Sequence, residues 1–411
     1  MTRVEQKMRY LLVTSVPFAF TDDGGCAVNT LWGWDLKAHS DLFSDLHVIA
    51  PKDTYDRDKY DYIFPENTIH FHALPKWKSS VDFICKFPMI FAILYNTLHK
   101  DDIVHTTATA HSPIGLLANF ICRIKGCVNS VIVFDADAIG DLELRIAKEK
   151  GIRKISLIAL QKILFKVFTF CISHTALTFV VGDAIANRYR NFNNVIKIYA
   201  SWVKKTDIIS PKCLGDKIAD AHNRDGLRIC FAASLIPKKN PKCAIEVIKL
   251  LRDTNIRVTL DILGEGPLRD ELEELVNYHH LSNIVTFINP IPYGKRFYNA
   301  LQGYDAILVP NLSNEQPRII FDAMANGVVV IGSDIESFSI IKNGENGLLC
   351  DPKCPESFVR AVEWIYKDKW LLEHMIYNGI NTVEENTLES MHRVRAEKIN
   401  HIFKLNIVEN S

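Results

Sequence analysis

Read along the chain, short apolar runs alternate with stretches in which apolar residues recur every three or four positions. In the first half, runs at 10–13, 46–50, 103–105, 130–134, 178–181 and 195–199 have strand length, and amphipathic stretches such as 114–124 separate them. The run at 10–13 leads into a polar loop, Thr21-Asp22-Asp23-Gly24-Gly25, and then a helical pattern through Trp32, Leu36 and Phe43, which predicts strand, glycine loop and helix. The rhythm restarts with a strand at 228–232 and a loop at 234–240. A helix at 241–252 follows, with Asn240 the expected N-cap and Pro241 its first residue. Further strands are predicted at 258–263, 284–288, 306–309 and 328–331, with a helix at 318–326 capped by Gly327. Strand–helix alternation in both halves implies two parallel-sheet α/β arrays.

Between the arrays, 204–226 is polar, mixed in charge and without clear periodicity, and reads as a linker. The expected organisation is an N-terminal Rossmann-like domain over 8–203, a linker over 204–226 and a second Rossmann-like domain over 227–370. A helical segment at 371–411 can pack back on the first domain. A length of 411 residues suits two cores, and 48% apolar with 23% charged residues excludes wholesale disorder. Lys plus Arg balance Asp plus Glu at 48 each, which removes the broad basic field of a nucleic-acid binder, so no nucleic-acid partner is expected.

The ten cysteines are scattered; Cys350 and Cys354 come nearest to zinc-ligand spacing and lack a second pair. They read as reduced thiols, mostly buried, which points to the cytoplasm. No run of about 20 uninterrupted apolar residues predicts a spanning helix. Segments 83–95 and 155–181 come closest; the first follows Lys76-Trp77-Lys78 and the second carries Lys162 and Lys166. Two readings stay open for them: buried helices, or a membrane-facing surface that would make the protein peripheral at the inner face of a membrane.

Ligands of open α/β sheets sit at the carboxyl ends of the strands, where helix N-termini present unsatisfied N–H groups to anions. Three loops of the second half meet that requirement: 234–240 with Lys238 and Lys239, 264–267 with Gly264 and Glu265, and Asn314-Glu315-Gln316-Pro317-Arg318. Lys239 and the helix beginning near Pro317 can neutralise a pyrophosphate without a metal ion, while amides and carboxylates bind hydroxyls. In the first half His105 and His111 flank 106–110 after a predicted strand, and Asp135 and Asp137 follow another. Strand-end loops of this kind are candidates for ligand binding. The two aspartates admit a divalent-metal reading, but no further ligands stand beside them, and no metal is expected.

With these residues in place, 227–366 resembles the donor domain of the family 4 retaining glycosyltransferases, a large GT-B family. Ala233-Ser234-Leu235-Ile236-Pro237-Lys238-Lys239-Asn240 is similar to the family's GRL-x-x-x-KG stretch, and Leu263-Gly264-Glu265-Gly266-Pro267-Leu268-Arg269 follows it in family order. The segment from Asn314 to Gly327 resembles the family's motif of two glutamates separated by seven residues, and Asn343-Gly344-Glu345-Asn346-Gly347-Leu348-Leu349 resembles the loop after it. In the first half Gly24-Gly25 is similar to the family's glycine loop. Three departures stand out: Ser234 replaces the usual arginine, and Asn314 and Asp322 replace the two glutamates, with Glu315 displaced by one residue.

The resemblance implies a GT-B architecture, two Rossmann-like doubly wound domains facing a cleft, and a nucleoside-diphosphate-sugar donor as substrate with no cofactor. It implies transfer with retention to a glycan or lipid-linked acceptor, in surface-polysaccharide biosynthesis. The expected donor-binding residues are Gly24, Gly25, Ser234, Lys239, Gly264, Glu265, Gln316, Pro317 and Asp322. Catalysis is expected of Asn314, Glu315, Arg318 and His111, and acceptor binding of His105, Asp135 and Asp137. Ser234 and Asn314 also motivate a second reading, a catalytically degenerate partner subunit that binds nucleotide or glycan. A third, a nucleotide-sugar epimerase, needs acid/base carboxylates that the sequence does not identify.

Overall fold

Runs such as Tyr10–Val13 and Leu177–Val181, buried at every position, fit the interior of a parallel sheet covered on both faces. The computed structural model describes residues 8–108 and 113–404. They form two units: one holds the chain through Val181, Ile185–Ile198 and the residues from Met391 on; the other holds Gly182–Ala184 and Tyr199–Ser390.

The strands of the first unit are β1 (Tyr10–Val13), β2 (Ala19–Phe20), β3 (Cys26–Val28), β4 (Leu46–Lys52), β5 (Tyr62–Phe64), β6 (His70–Pro75), β7 (Ile103–Thr107), β8 (Ser130–Phe134), β9 (Leu177–Val181) and β10 (Val195–Ile198). Seven make a parallel sheet in the order β10-β9-β8-β7-β1-β4-β6. The other three make a small antiparallel sheet, β2-β3-β5. The expected step from strand through glycine loop to helix is therefore corrected: 21–25 turns the β2–β3 hairpin, Thr21 N–H donating to the Gly25 carbonyl at 2.9 Å with Gly24 at φ +84°. The helix starts later, at Thr30, where the Asn29 side chain accepts from Trp32 N.

One helix among the described residues, Gly151–Ser173, is long and apolar enough to cross a membrane, which the sequence reading did not expect. Lys162 and Lys166 interrupt the apolar run without offsetting its average. Together with the helix Ala138–Lys148 it connects β8 to β9, which pair in parallel from Val131↔Leu177 to Phe134↔Val180. A single crossing would put those two strands on opposite sides of a bilayer, so this helix lies on the unit's surface. Leu157, Phe168, Cys171 and Ile172 are buried, while other apolar side chains stay exposed, Ile152 at 87% and Ile155 at 68%.

The second unit contributes β11 (Leu227–Ala232), β12 (Val258–Leu263), β13 (Val285–Ile288), β14 (Ala306–Val309), β15 (Val329–Ser333) and β16 (Gly347–Cys350), parallel in the order β13-β12-β11-β14-β15-β16. The stretch read as a linker belongs to this unit. Ser210 caps a helix over Pro211–Asn223, and Leu214 and Ala221 enter the core; charged residues on its outer face obscured the period. The helix Lys369–Glu385 also packs here, through Leu372, Met375, Ile376 and Ile380. Asn240 stands at the start of the helix Pro241–Arg252 but in the left-handed region at φ +54°, and its side chain donates to the Pro352 carbonyl at 3.0 Å instead of capping.

The helix Leu388–Phe403 brings His392 to the first unit, where its Nε2 lies 3.0 Å from Asp35 Oδ1 and its ring meets His39 edge-on at 4.5 Å. His105 lies 5.7 Å from His39, ring to ring, and pairs with the Tyr10 hydroxyl at 2.6 Å. Burial and the neighbouring His39 push the His392 imidazole down to about 4, against the pull of Asp35. His105 is held well below the usual imidazole range by burial, then by His39 and Arg395. A folded pKa below the unfolded value of 6.5 gives stability that is present above 6.5 and lost as pH falls toward 4. Unfolding of the protein from pH 7 downward should accordingly show falling stability between those values, and His392→Asn should flatten the slope. An equally steep loss in the variant would place its origin elsewhere.

Candidate functional site

In the second sheet the strand order reverses beside β11: β12 and β13 follow on one side, β14 to β16 on the other. The loops leaving β11 and β14 diverge, opening a crevice at the carboxyl ends. The loop after β12 borders the first of them so closely that side chains are excluded. A Cβ on Gly264 (φ +156°) would stand 2.0 Å from the Ala233 carbonyl oxygen, and one on Gly266 (φ +157°) 2.6 Å from that of Leu235. In that space Leu235 N–H donates to the Glu265 carbonyl at 2.8 Å, and Leu268 N–H to that of Leu235 at 3.2 Å. The third loop joins the frame through Leu312 N–H and the Lys238 carbonyl, 2.9 Å apart. Gly264 and Gly266 thus set the spacing of main chains around the crevice.

Two cations meet one carboxylate at this frame. Lys238 Nζ lies 2.9 Å from Glu315 Oε2 and Lys239 Nζ 3.7 Å from it. Burial acts to raise the Glu315 pKa, but Lys239, Lys238 and Arg318 outweigh it and hold the carboxyl below its usual range. Lys238, absent from the sequence-derived site, is the closer cation; its place in a lysine pair was the available signal. Arg318 is exposed, its guanidinium stacked 5.0 Å over the Trp202 ring. Ser234, Glu265 and Asn314 are exposed too, whereas Pro317 is buried. Behind them Asn311 Nδ2 and Ser313 Oγ are buried without a hydrogen-bond partner, polar atoms that ordinarily require one.

Two expected donor ligands turn inward. Gln316 Oε1 accepts from Ala200 N at 3.2 Å and its Nε2 donates to Ala200 O at 3.1 Å, so both ends of the amide hold the main chain at 200. Asp322, 4% exposed, accepts from the Tyr293 hydroxyl at 2.5 Å, which accepts from Tyr298 at 3.0 Å. Burial raises its pKa to about 7 against the opposing effects of the Tyr293 bond and Arg318. Neither tyrosine was foreseen, because nothing in the spacing of 293, 298 and 322 announces a shared pocket.

In the first unit two of the acceptor candidates, His105 and Asp137, are engaged in contacts within the fold. His105 lies within β7, buried beside Tyr10, and not in a strand-end loop. Asp137 caps the helix Ala138–Lys148, accepting from Gly140 N at 2.9 Å, and pairs with Arg188 at 3.2 Å. Asp135 follows β8, partly buried; His111 lies outside the described residues. Gly24 and Gly25 form the hairpin turn already described. A cavity of about 390 Å³ opens at the amino ends of β11, β12 and β13, lined by Arg224, Arg228, Arg252 and Arg257. That is the end of the sheet opposite to the one where open α/β sheets bind ligands, so the carboxyl-end crevice remains the better site for an anionic ligand.

Residues 216–382 match the family described as glycosyl transferases group 1, in agreement with the resemblance read from the motifs at the level of that broad group. The UDP-Gal:alpha-D-GlcNAc-diphosphoundecaprenol alpha-1,3-galactosyltransferase of Escherichia coli is 26% identical over 195 residues, 45% of this chain and 48% of that protein. The chain spans about half or less of the length of the curated relatives it first matches. Among solved structures, HepE of Anabaena in complex with UDP superposes with a TM-score of 0.68 at 14% identity, covering 96% of this chain and all of the other. Sucrose-phosphate synthase of Thermosynechococcus elongatus gives 0.68 at 16% identity over 97% and 99% of the two chains. The fold is GT-B, as expected.

The buried Asp322 carboxyl yields a test of its own. A folded pKa near 7 against an unfolded 3.8 means that ionisation opposes folding, so this group's contribution declines as pH rises from 3.8 to about 7 and is level beyond. Asp322→Asn, which preserves an acceptor for Tyr293, should gain stability relative to the parent progressively over that interval. Parallel pH–stability curves for the two proteins would contradict the placement of a protonated carboxyl there.

Proposed function

We propose that this chain is a metal-independent, retaining hexosyltransferase that moves a sugar from a nucleoside-diphosphate sugar to a lipid-linked glycan acceptor in surface-polysaccharide assembly. The observation that carries the donor half is the meeting of Lys238 and Lys239 with Glu315 at the switch-point crevice. A diphosphate is the better partner for two ammonium groups than one carboxylate, and its arrival frees Glu315 to accept hydrogen bonds from sugar hydroxyls. HepE, solved with UDP and with UDP-glucose, supports a nucleotide donor.

In this reading the leaving diphosphate takes the acceptor proton on the face from which it departs, and Lys239, Lys238 and Arg318 stabilise the charge that develops on it. Asn314 positions sugar hydroxyls without offering negative charge. The donor is a substrate, and no cofactor is called for.

The acceptor half rests on the first unit's surface. Helices Ser80–Thr97, Pro113–Lys125 and Gly151–Ser173 pack in a row. The first leaves Ile84, Phe87 and Met89 exposed, the second Phe120 and Ile124, the third Ile152, Ile155 and Ile163. Cations lie over aromatic rings between neighbours, Lys125 over Tyr95 at 4.4 Å and Arg123 over Phe170 at 5.2 Å. Exposed apolar side chains interleaved with Lys and Arg suit the surface of an anionic bilayer. A diphosphoundecaprenol-linked acceptor, named for the Escherichia coli relative, is presented at such a surface. These features support a position at the cytoplasmic face of a membrane.

Two measurements test the halves separately. Lys239→Ala should weaken binding of the preferred nucleoside-diphosphate sugar about 10- to 100-fold in a calorimetric titration, the loss expected for one charged hydrogen bond; unchanged affinity removes the lysine from the site. Thermal stabilisation by donors with no nucleotide release across acceptors would favour the degenerate partner-subunit reading that Asn314 and Ser234 motivate. For the surface, the protein should sediment with vesicles containing anionic phospholipid. The pair Ile155→Glu and Ile163→Glu should abolish this while leaving donor affinity intact; a parent that stays in the supernatant rules out the membrane face.

A further inference from the structure

We propose that Asp45, His47 and His70 form a binding site for a divalent transition-metal ion of the zinc type, with His72 fixing the orientation of the His47 ring. β4 and β6 are parallel neighbours with His47 opposite His70 and Ile49 opposite His72. His70 and His72, two residues apart on one strand, face the same side. The His47 ring stacks with both, at 4.7 Å from His70 and 5.2 Å from His72. Its Nε2 lies 3.0 Å from Asp45 Oδ1 and its Nδ1 2.9 Å from His72 Nε2.

One ligand atom from each of Asp45, His47 and His70 lies within 4.8 Å of the others. Zinc bonds of about 2.0–2.2 Å in tetrahedral geometry set donor atoms roughly 3.3 Å apart. Turning the exposed His70 ring out of its stack on His47 closes the set and leaves a fourth position for water. Two imidazoles and a carboxylate are a borderline-soft donor set that selects zinc-like ions over calcium or magnesium. The contact between His47 and His72 has the form of the outer bond that orients a metal-bound imidazole. The nearby Arg9 does not compete for the carboxylate, because Asp102 holds its guanidinium through bonds of 2.9 and 2.7 Å.

The cluster sits at the amino ends of β4 and β6, with β6 at the sheet edge. Ligands of open α/β sheets occupy the opposite ends. The ion would therefore clamp an edge strand to its neighbour and take no part in transfer, so metal-independent chemistry is unaffected.

The test uses the untagged full-length chain, stripped with chelator, incubated with zinc sulfate and desalted. Elemental analysis should find about one zinc per chain, and His70→Ala, whose ring is exposed, should fold like the parent and retain none. Titration against a chromophoric chelator should show His72→Ala weakened about 10- to 100-fold, as for loss of an outer-shell partner. A parent that retains no zinc overturns the proposal. Full retention by a folded His70→Ala does the same, moving the ion to another group such as Asp35, His39 and His392. Unchanged affinity in His72→Ala removes the positioning role of that residue.

Discussion

Whatever the second unit does with a ligand depends on how closely two main chains approach at Gly264 and Gly266. The loops after β11 and β12 are joined by backbone hydrogen bonds through positions where a side chain would stand 2.0 and 2.6 Å from a carbonyl oxygen. Both glycines have positive φ, which other residues reach only with strain. That lacing fixes Ala233 to Leu235, and the bond from Leu312 to the Lys238 carbonyl carries the constraint on to the third loop. The lysines and Glu315 meet because the backbones beneath them are already held.

The same unit handles two carboxylates in opposite ways seven positions apart. Glu315 sits among cations and is held ionised; Asp322 is buried against the Tyr293 hydroxyl, and its pKa is raised to about 7. Environment separates them, since the side chains are nearly the same chemically. The crevice thereby keeps a carboxylate at its mouth and disfavours a charge in the packed layer behind it.

Fold class was legible because the signal was redundant. β1, β9 and β11 to β15 announce themselves as apolar runs bounded by loops, and their alternation with helices implies parallel sheets. β6 escaped because His70 and His72 interrupt the apolar alternation, and 204–226 because charge on its exposed face hid Leu214 and Ala221. At the site, sequence order identified the three loops and Lys239. It could not tell which side chains face the crevice. Gln316 and Asp322 match the expected spacing, yet the short helix Ile319–Ala325 turns Asp322 toward Tyr293, and Gln316 bonds to main chain more than a hundred residues earlier. His105 looked like a loop residue because its strand runs two positions further than its apolar core suggests.

The bond between His392 and Asp35 closes a loop of 357 residues, and the whole second unit lies inside it. On a ribosome the first sheet is complete long before the residues that seal its Asp35 side have been polymerised. Domains that finish in synthesis order fold as they emerge; this one must wait with a buried-to-be carboxylate and two imidazoles, His39 and His105, still hydrated. Translation rate, or a holding chaperone, therefore has a longer interval in which to influence the first unit than its place ahead of the second unit suggests.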